Sequence, residues 1–419
     1  MRRVAITGLG VVSAVGIGQS AFFDALLSAR SGLLAVEVPF PTGPDHVVVG
    51  PVSLDLDSAD PATHIPRARL ITMDRVSQLA LVAGREAMAQ AGLAAETGTL
   101  ARERFGVFMG TGSGGAGSID SAYTSLLEHR APRLRPMTVV LSMSNATAAH
   151  LSLEFDLHGP SNTFSNACAS SAIAIGEAFR QIRHGYADVM LAGGAEASLN
   201  RGTIKAWQAM NTLAKPHPDG PQAACRPFAK DRSGLVLAEG AAVVVLEDWA
   251  HAVARGATIL AELAGYAATT DAHHLTQPEA SGQARAMTLA LADARLPPSA
   301  IGYINAHGTA TDIGDVVETQ AIRQAFGPLA EALAISSTKA VHGHAMGAAG
   351  AMEFVATVLT LREGRLPPTA FLQTADPRCD LDYIPLIARP HTGLTAVMSN
   401  SFAFGGLNAV LVFKKWDGG

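Results

Sequence analysis

Aromatic residues and charges are both scarce in this chain: 5% of its 419 residues are aromatic, 16% are charged, and there are three cysteines. Little charge beside 48% hydrophobic residues and a mean hydropathy of +0.22 excludes a disordered chain. The length suffices for a large core, expected as two closely packed halves. Cys168, Cys225 and Cys379 are widely separated and odd in number. They offer no disulfide framework and no zinc-ligand spacing, which points to a reducing, cytoplasmic setting. A net charge of -5 and a pI near 6.3 exclude a general nucleic-acid binder, which needs a basic stripe. Long apolar runs are also missing. The uncharged stretch from Leu394 to Phe413 is interrupted by Ser399-Asn400-Ser401, Gly405-Gly406 and Asn408, so no membrane span is expected there. Met1-Arg2-Arg3 before an apolar run has the outline of a signal peptide, but Val4 to Thr7 ahead of Gly8 and Gly10 reads better as a first strand and turn.

What is abundant is glycine, with 41 residues, and the alanine-rich helical patterns suggest close backbone packing in a layered α/β protein. Strand-like runs stand at 105–109, 187–192, 241–246, 301–305 and 409–413, with helical patterns over 75–91 and 311–326 between them. This alternation predicts largely parallel sheet covered on both faces. A hairpin is expected over 234–248, and the seam between halves near 249–256. The segment Cys168 to Gly185, an uncharged start followed by an apolar helix and an Arg-His-Gly stop, is echoed by Gly347 to Gly364, which suggests a duplicated half.

Two glycine-rich runs are decoys. Gly8-Leu9-Gly10-Val11-Val12-Ser13 ends in serine, without the acidic residue a nucleotide ribose needs. Gly110-Thr111-Gly112-Ser113-Gly114-Gly115 lacks the lysine of a phosphate loop and is expected to let backbone approach a substrate or a neighbouring subunit.

Cys168 precedes a helix with an uncharged, alanine-rich start, where unpaired N–H groups favour a thiolate and can cradle an oxyanion. Its surroundings equally fit an inert core thiol. His307, in Asn305-Ala306-His307-Gly308-Thr309-Ala310-Thr311, and His344, a few residues past Lys339, stand at further strand-to-helix junctions. Open α/β sheets place ligands there, and Cys, His and Lys-plus-His at three such junctions make a nucleophilic site the joint reading.

Those residues carry a resemblance. Asn166-Ala167-Cys168-Ala169-Ser170-Ser171, the run from His307 to Thr311, Lys339 with Gly343-His344 and Gly347-Ala348-Ala349-Gly350, and the stretch from Asn400 to Asn408 resemble, in order, the β-ketoacyl synthase family of the thiolase superfamily. The likeness covers nearly the whole chain and is strongest to its elongating synthase II branch. It implies a thiolase-like five-layered αβαβα sandwich of two similar halves, divided here as 1–252 and 253–419. It also implies an acyl carrier protein as partner, and a homodimer or a heterodimer with a chain-length-factor-like subunit. No cofactor or metal is implied, since substrates arrive on phosphopantetheine. Cys168 would hold the acyl chain, and His307 and His344 would assist malonyl decarboxylation. Lys339, paired with Glu318, would orient the histidine loops. The N–H groups of Cys168 and Phe404 would form an oxyanion hole, with Phe404 also the gatekeeper on a glycine-rich hinge in which Ala403 replaces the usual glycine. Thr309, Thr311, Asn408 and His274, the last on a second mobile loop, are supporting residues. Carrier docking is expected on Arg67, Arg69, Arg75, Arg130 and Arg133.

The stretches 73–77, 205–210 and 399–403 resemble nodulation-type and polyene ketosynthases, which favours a specialised polyketide, polyene or unusual fatty-acid pathway over primary elongation. A thiolase-like acyl-CoA acyltransferase would need a second cysteine in the turn from Phe404 to Asn408, and none stands there.

Overall fold

The structure, a computed structural model, describes residues 1–40, 43–55, 60, 62–93 and 101–416. Ten strands carry the core: β1 (Val4–Ser13), β2 (Phe105–Gly110), β3 (Ser161–Phe164), β4 (Val189–Glu196), β5 (Gly240–Asp248), β6 (Ala261–Thr270), β7 (Ile301–Asn305), β8 (Ala334–Ser336), β9 (Ala396–Ala403) and β10 (Leu407–Lys414). They run β8-β7-β9-β10-β6-β1-β5-β4-β2-β3 across one sheet, with a short strand, Gly16–Ile17, pairing beside β1.

That order contains the same unit twice. From each edge inward, β3-β2-β4-β5-β1 matches β8-β7-β9-β10-β6. In both units the outer three strands are parallel and the inner two join antiparallel. Val4, Ala5 and Ile6 of β1 pair with Leu263, Glu262 and Ala261 of β6, and this short antiparallel ladder joins the halves. The faint echo in the sequence is therefore a duplication of topology. The large β2 and β5 are buried along their whole length, which explains why they read as continuous apolar runs.

Seven helices complete the frame: α1 (Arg75–Gln90), α2 (Ala146–Phe155), α3 (Ser170–Arg183), α4 (Arg201–Ala209), α5 (Ala280–Ala294), α6 (Asp312–Phe326) and α7 (Ala349–Glu363). The Asp74 side chain starts α1 by accepting from the Val76 N–H at 3.1 Å. Helices α1 and α2 cover one half-sheet, and α5, with α6 packed against it, covers the other. Between them α3 and α7 pack on each other and on strands of both halves, giving the five layers. Small residues allow that approach. A Cβ added at Gly350 would lie 2.8 Å from the Ala172 Cβ, and the Ala351 N–H donates to Ser171 Oγ at 2.9 Å. Every residue of α7 from Ala349 to Leu361 is buried, Glu353 included. A carboxyl in such a helix requires a partner.

The expected hairpin over 234–248 is not formed. Leu237 and Ala238 leave the large sheet and pair in parallel with Val49 and Gly50 in a small three-stranded sheet beside the site. Among the described residues, no helix is long and apolar enough to cross a membrane.

Candidate active site

Cys168 lies on the turn between β3 and α3, two residues before the helix begins. Ala167 takes a left-handed φ of 49°, which a side chain adopts only when its surroundings fix it. Ser170 supplies the fixing: its Oγ accepts from the Asn166 N–H at 2.8 Å and donates to the Ala167 carbonyl at 2.6 Å. The result is a thiol 8% exposed at the floor of a cavity of about 1150 Å³.

His344 comes from the other half. Its backbone is clamped to the small sheet, His344 N–H donating to the Val236 carbonyl at 2.7 Å and Ala238 N–H to the His344 carbonyl at 3.0 Å. That clamp puts Nε2 3.1 Å from Cys168 Sγ. His307 follows β7, and its ring meets that of His344 edge-on at 5.5 Å and 84°. Glu318 on α6 holds this loop by accepting from the N–H groups of His307 and Gly308 at 2.9 and 2.8 Å, and also accepts from Asn400 Nδ2 at 3.2 Å.

The ammonium of Lys339 does not pair with Glu318 as expected. It bonds the Glu353 carboxylate of α7, donates to the His307 carbonyl at 2.6 Å and lies 3.5 Å from His307 Nδ1. The cause is occupancy: Glu318 already serves two backbone N–H groups, while among the described residues the buried Glu353 has Lys339 as its ion-pair partner. Lys339 and Glu353 are both fully buried. Sequence reasoning missed Glu353, although a lone acid in the otherwise uncharged run from Ala349 to Leu361 was the available signal.

Burial dominates the electrostatics. It holds both imidazoles well below the usual histidine range, and the Lys339 charge lowers them further, so His307 and His344 are neutral. The Cys168 thiol is pushed up to about 12, against a smaller lowering by Lys339. Desolvation thus opposes the thiolate that the helix terminus favours. Cys168 Sγ and a ring nitrogen of each histidine lie within 4.8 Å of one another. Zinc accepts such donors. The Lys339 ammonium beside His307 opposes a cation, and the arrangement suits hydrogen bonding to an anion better than metal coordination.

Glu196, at the end of β4, was not foreseen either. Fully buried, it accepts from Gly112 N–H at 2.6 Å and Gly347 N–H at 3.1 Å, tying a loop of each half together. A Cβ on Gly347 would fall 2.2 Å from Gly112 N. The Gly110 to Gly115 loop thus meets the other half of its own chain at this point, where a substrate or a second subunit was expected.

Thr309 and Thr311 line the cavity with their hydroxyls 3.1 Å apart, and Arg232 Nε donates to the Thr311 carbonyl at 3.0 Å. His274 is exposed at the cavity mouth, its Nδ1 accepting from the Thr276 and Gln277 N–H groups at 3.1 and 3.2 Å. Asn408 is buried and donates to Asp271 Oδ1 at 2.6 Å. Phe404 is half-buried and stacks on Trp207. Ala403 ends β9 without a positive φ; Gly405 and Gly406, at +85° and +69°, carry the turn.

Arg69 and Arg75, both expected to dock the carrier, form ion pairs within the chain. Arg69 pairs with Glu154, which also holds Arg85, and Arg75 pairs with Glu239 and donates to the Val52 carbonyl at 2.7 Å. Arg67, Arg130 and Arg133 are exposed.

A cysteine facing two buried histidines where the duplicated halves meet is suited to passing an acyl group through a thioester. The chain belongs to the β-ketoacyl synthase family: the family's N-terminal domain matches residues 1–252 and its C-terminal domain residues 260–373. It is 43% identical over 414 residues to nodulation protein E of Rhizobium sp. (strain N33), with 99% of each chain covered. It is 37% identical over 418 residues to 3-oxoacyl-[acyl-carrier-protein] synthase 2 of Synechocystis sp., again covering 99% of both. Among solved structures, a β-ketoacyl synthase from Burkholderia phymatum matches with a TM-score of 0.89 at 39% identity, over 99% of this chain and 100% of that one. A type II PKS ketosynthase in complex with its acyl-carrier protein and bound to the hexaketide matches with the same score of 0.89 at 32% identity, over 99% and 100%. The protein is a ketosynthase, an acyltransferase.

Proposed function

We propose that this protein condenses an acyl chain held on Cys168 with a malonyl unit delivered by an acyl carrier protein, in a specialised polyketide, polyene or unusual fatty-acid pathway. The observation that carries the reading is the 3.1 Å approach of His344 Nε2 to Cys168 Sγ with His307 edge-on beside it.

In the first step Sγ bonds the acyl carbonyl carbon, the bond to the phosphopantetheine sulfur breaks, and the Cys168 proton leaves with the departing thiol. Cysteine suits this because sulfur is both a soft nucleophile and a good leaving group. In the second, the malonyl carboxylate departs as carbon dioxide and its electron pair moves onto the thioester as an enolate. Neutral imidazole N–H groups of His307 and His344 stabilise that oxyanion in a dry pocket, where a fixed dipole is worth more than in water. The enolate carbon then attacks the acyl thioester, the Cys168 sulfur is expelled, and it regains a proton from solvent. The N–H groups of Cys168 and Phe404 serve the tetrahedral adduct. Lys339 and Glu353 act through His307, as positioning residues. No metal or redox cofactor enters these steps.

The mouth takes the phosphopantetheine arm past Thr309 and Thr311, and the carrier docks on Arg130 and Arg133. A second subunit, a copy of this chain or a chain-length-factor-like partner, seats against the open edge of β3. Exposed Leu153 on the neighbouring α2 and exposed Val139 support that surface. The setting is cytoplasmic. The test is reconstitution with acyl- and malonyl-loaded carrier proteins: a β-ketoacyl product two carbons longer, seen by mass spectrometry, is expected. Free acid or acyl-CoA products alone would overturn the reading.

A further inference from the structure

Phe404 sits on a turn whose two glycines have backbone angles favouring glycine, so the ring rides on a hinge. Its ring lies 5.8 Å from that of Trp207 at an interplanar angle of 20°, a stacked pair, and both rings line the cavity above Cys168. The two sides of that pair are held differently.

Trp207 stands on a fixed post. Its helix, α4, is capped by the Asn200 side chain, which accepts from the Thr203 N–H at 3.0 Å. Ile204, one turn before Trp207, is buried in the apolar cluster that includes Val38, Val47 and Cys168. Lys205 lies 4.1 Å over the Phe40 ring and pairs with Asp45. At the same N-terminal end as the cap, Gly202 N–H donates to Asp120 Oδ1 at 3.1 Å. The Phe404 turn is anchored to one loop, 271–275: exposed Gly405 donates to the Leu275 carbonyl at 2.7 Å, and buried Gly406 accepts from the Asp271 N–H at 2.8 Å.

We infer that Trp207 is the latch of the acyl gate: its indole holds the Phe404 ring over the site in the resting state, and a long acyl chain enters by breaking this stack. The inference rests on the ketosynthase reading for what the gate admits. Trp207 is a specificity-determining residue, since the stack opposes chains that need room beyond Cys168 and leaves small reagents unhindered.

Alkyl chloroacetamides test this, because they alkylate Cys168 without any thioester transfer. A failed condensation assay would therefore count against the function and leave this measurement readable. Trp207→Ala is expected to raise the rate of alkylation by a dodecyl probe relative to an ethyl probe about two- to tenfold, the span set by one aromatic pair. Phe404→Ala should give the same gain, the double variant no more than either, and Trp207→Phe a ratio within about twofold of the parent. An unchanged ratio, additive gains, or an equal change with both probes overturns the latch. A second reading needs only the parent and Trp207→Phe. Seating the dodecyl probe must shift indole emission in the parent, and the shift must vanish in Trp207→Phe, although two other tryptophans, Trp249 and Trp416, remain. An emission that stays fixed in the parent, or a shift that persists in the variant, overturns it as well.

Discussion

Lys339 bonds Glu353 and the His307 carbonyl at once, so a single buried ammonium ties the middle helix α7 to the loop that carries one of the site's two histidines. Removing one partner of such a pair strands the other charge in the core. Lys339→Ala is expected to cost about 3–5 kcal/mol of stability, read by denaturant unfolding. Glu353→Gln keeps the shape, and is expected to lower kcat by about tenfold or more with KM little changed. A KM effect without a kcat effect would contradict a positioning role.

The resting thiol gives a pH signature. Because burial pushes Cys168 up to about 12, only the thiolate fraction reacts, and that fraction grows tenfold with each pH unit below that value. Iodoacetamide alkylation should therefore rise with unit slope from about pH 7 to about pH 10. A plateau near the ordinary thiol value of about 8.5 would reveal an activated thiolate instead.

Arginine pairing separates docking from stability. Arg130→Glu with Arg133→Glu is expected to raise KM for carrier-bound substrate about fivefold or more, more steeply at low salt, while leaving iodoacetamide alkylation of Cys168 unchanged. Arg69→Glu would instead face the Glu154 carboxylate. Its expected effect is a lower unfolding midpoint, with KM unaltered in the folded fraction.

Ala403 ends a strand in a conformation any residue adopts, so alanine is no obstacle to the closed gate. Ala403→Gly adds freedom at that hinge. Faster turnover of long acyl chains relative to short ones is expected, at a stability cost of about 0.5–1 kcal/mol. Equal rates for all chains would show that the hinge lies entirely in Gly405 and Gly406.

Much of the site was legible because Cys168, His307, Lys339 and His344 each stand where a strand gives way to a helix, a position written in local sequence. The duplication was visible only faintly, in the matching of α3 with α7, since strand order is set by pairings far apart in the chain. Partners were the hidden part. Glu318 and Glu353 are both acids on helices, and only packing decides which carboxylate Lys339 reaches. Arg69 and Arg75 read as surface charge until Glu154 and Glu239 arrive from remote segments. Leu237 and Ala238 looked like half a hairpin because their true neighbours, Val49 and Gly50, lie far upstream. The thiol's burial was hidden for a related reason: the helix terminus is local, whereas the groups that bury Cys168 come from both halves.

The central claim is that Cys168 carries the acyl chain between carrier protein and product. Intact-mass analysis after mixing the protein with acyl-loaded carrier protein tests it most directly. One acyl group should appear on the peptide holding Cys168 and disappear when malonyl-loaded carrier is added, with no adduct on Cys168→Ala. An acyl group on any other residue, or condensation that survives Cys168→Ala, would contradict it.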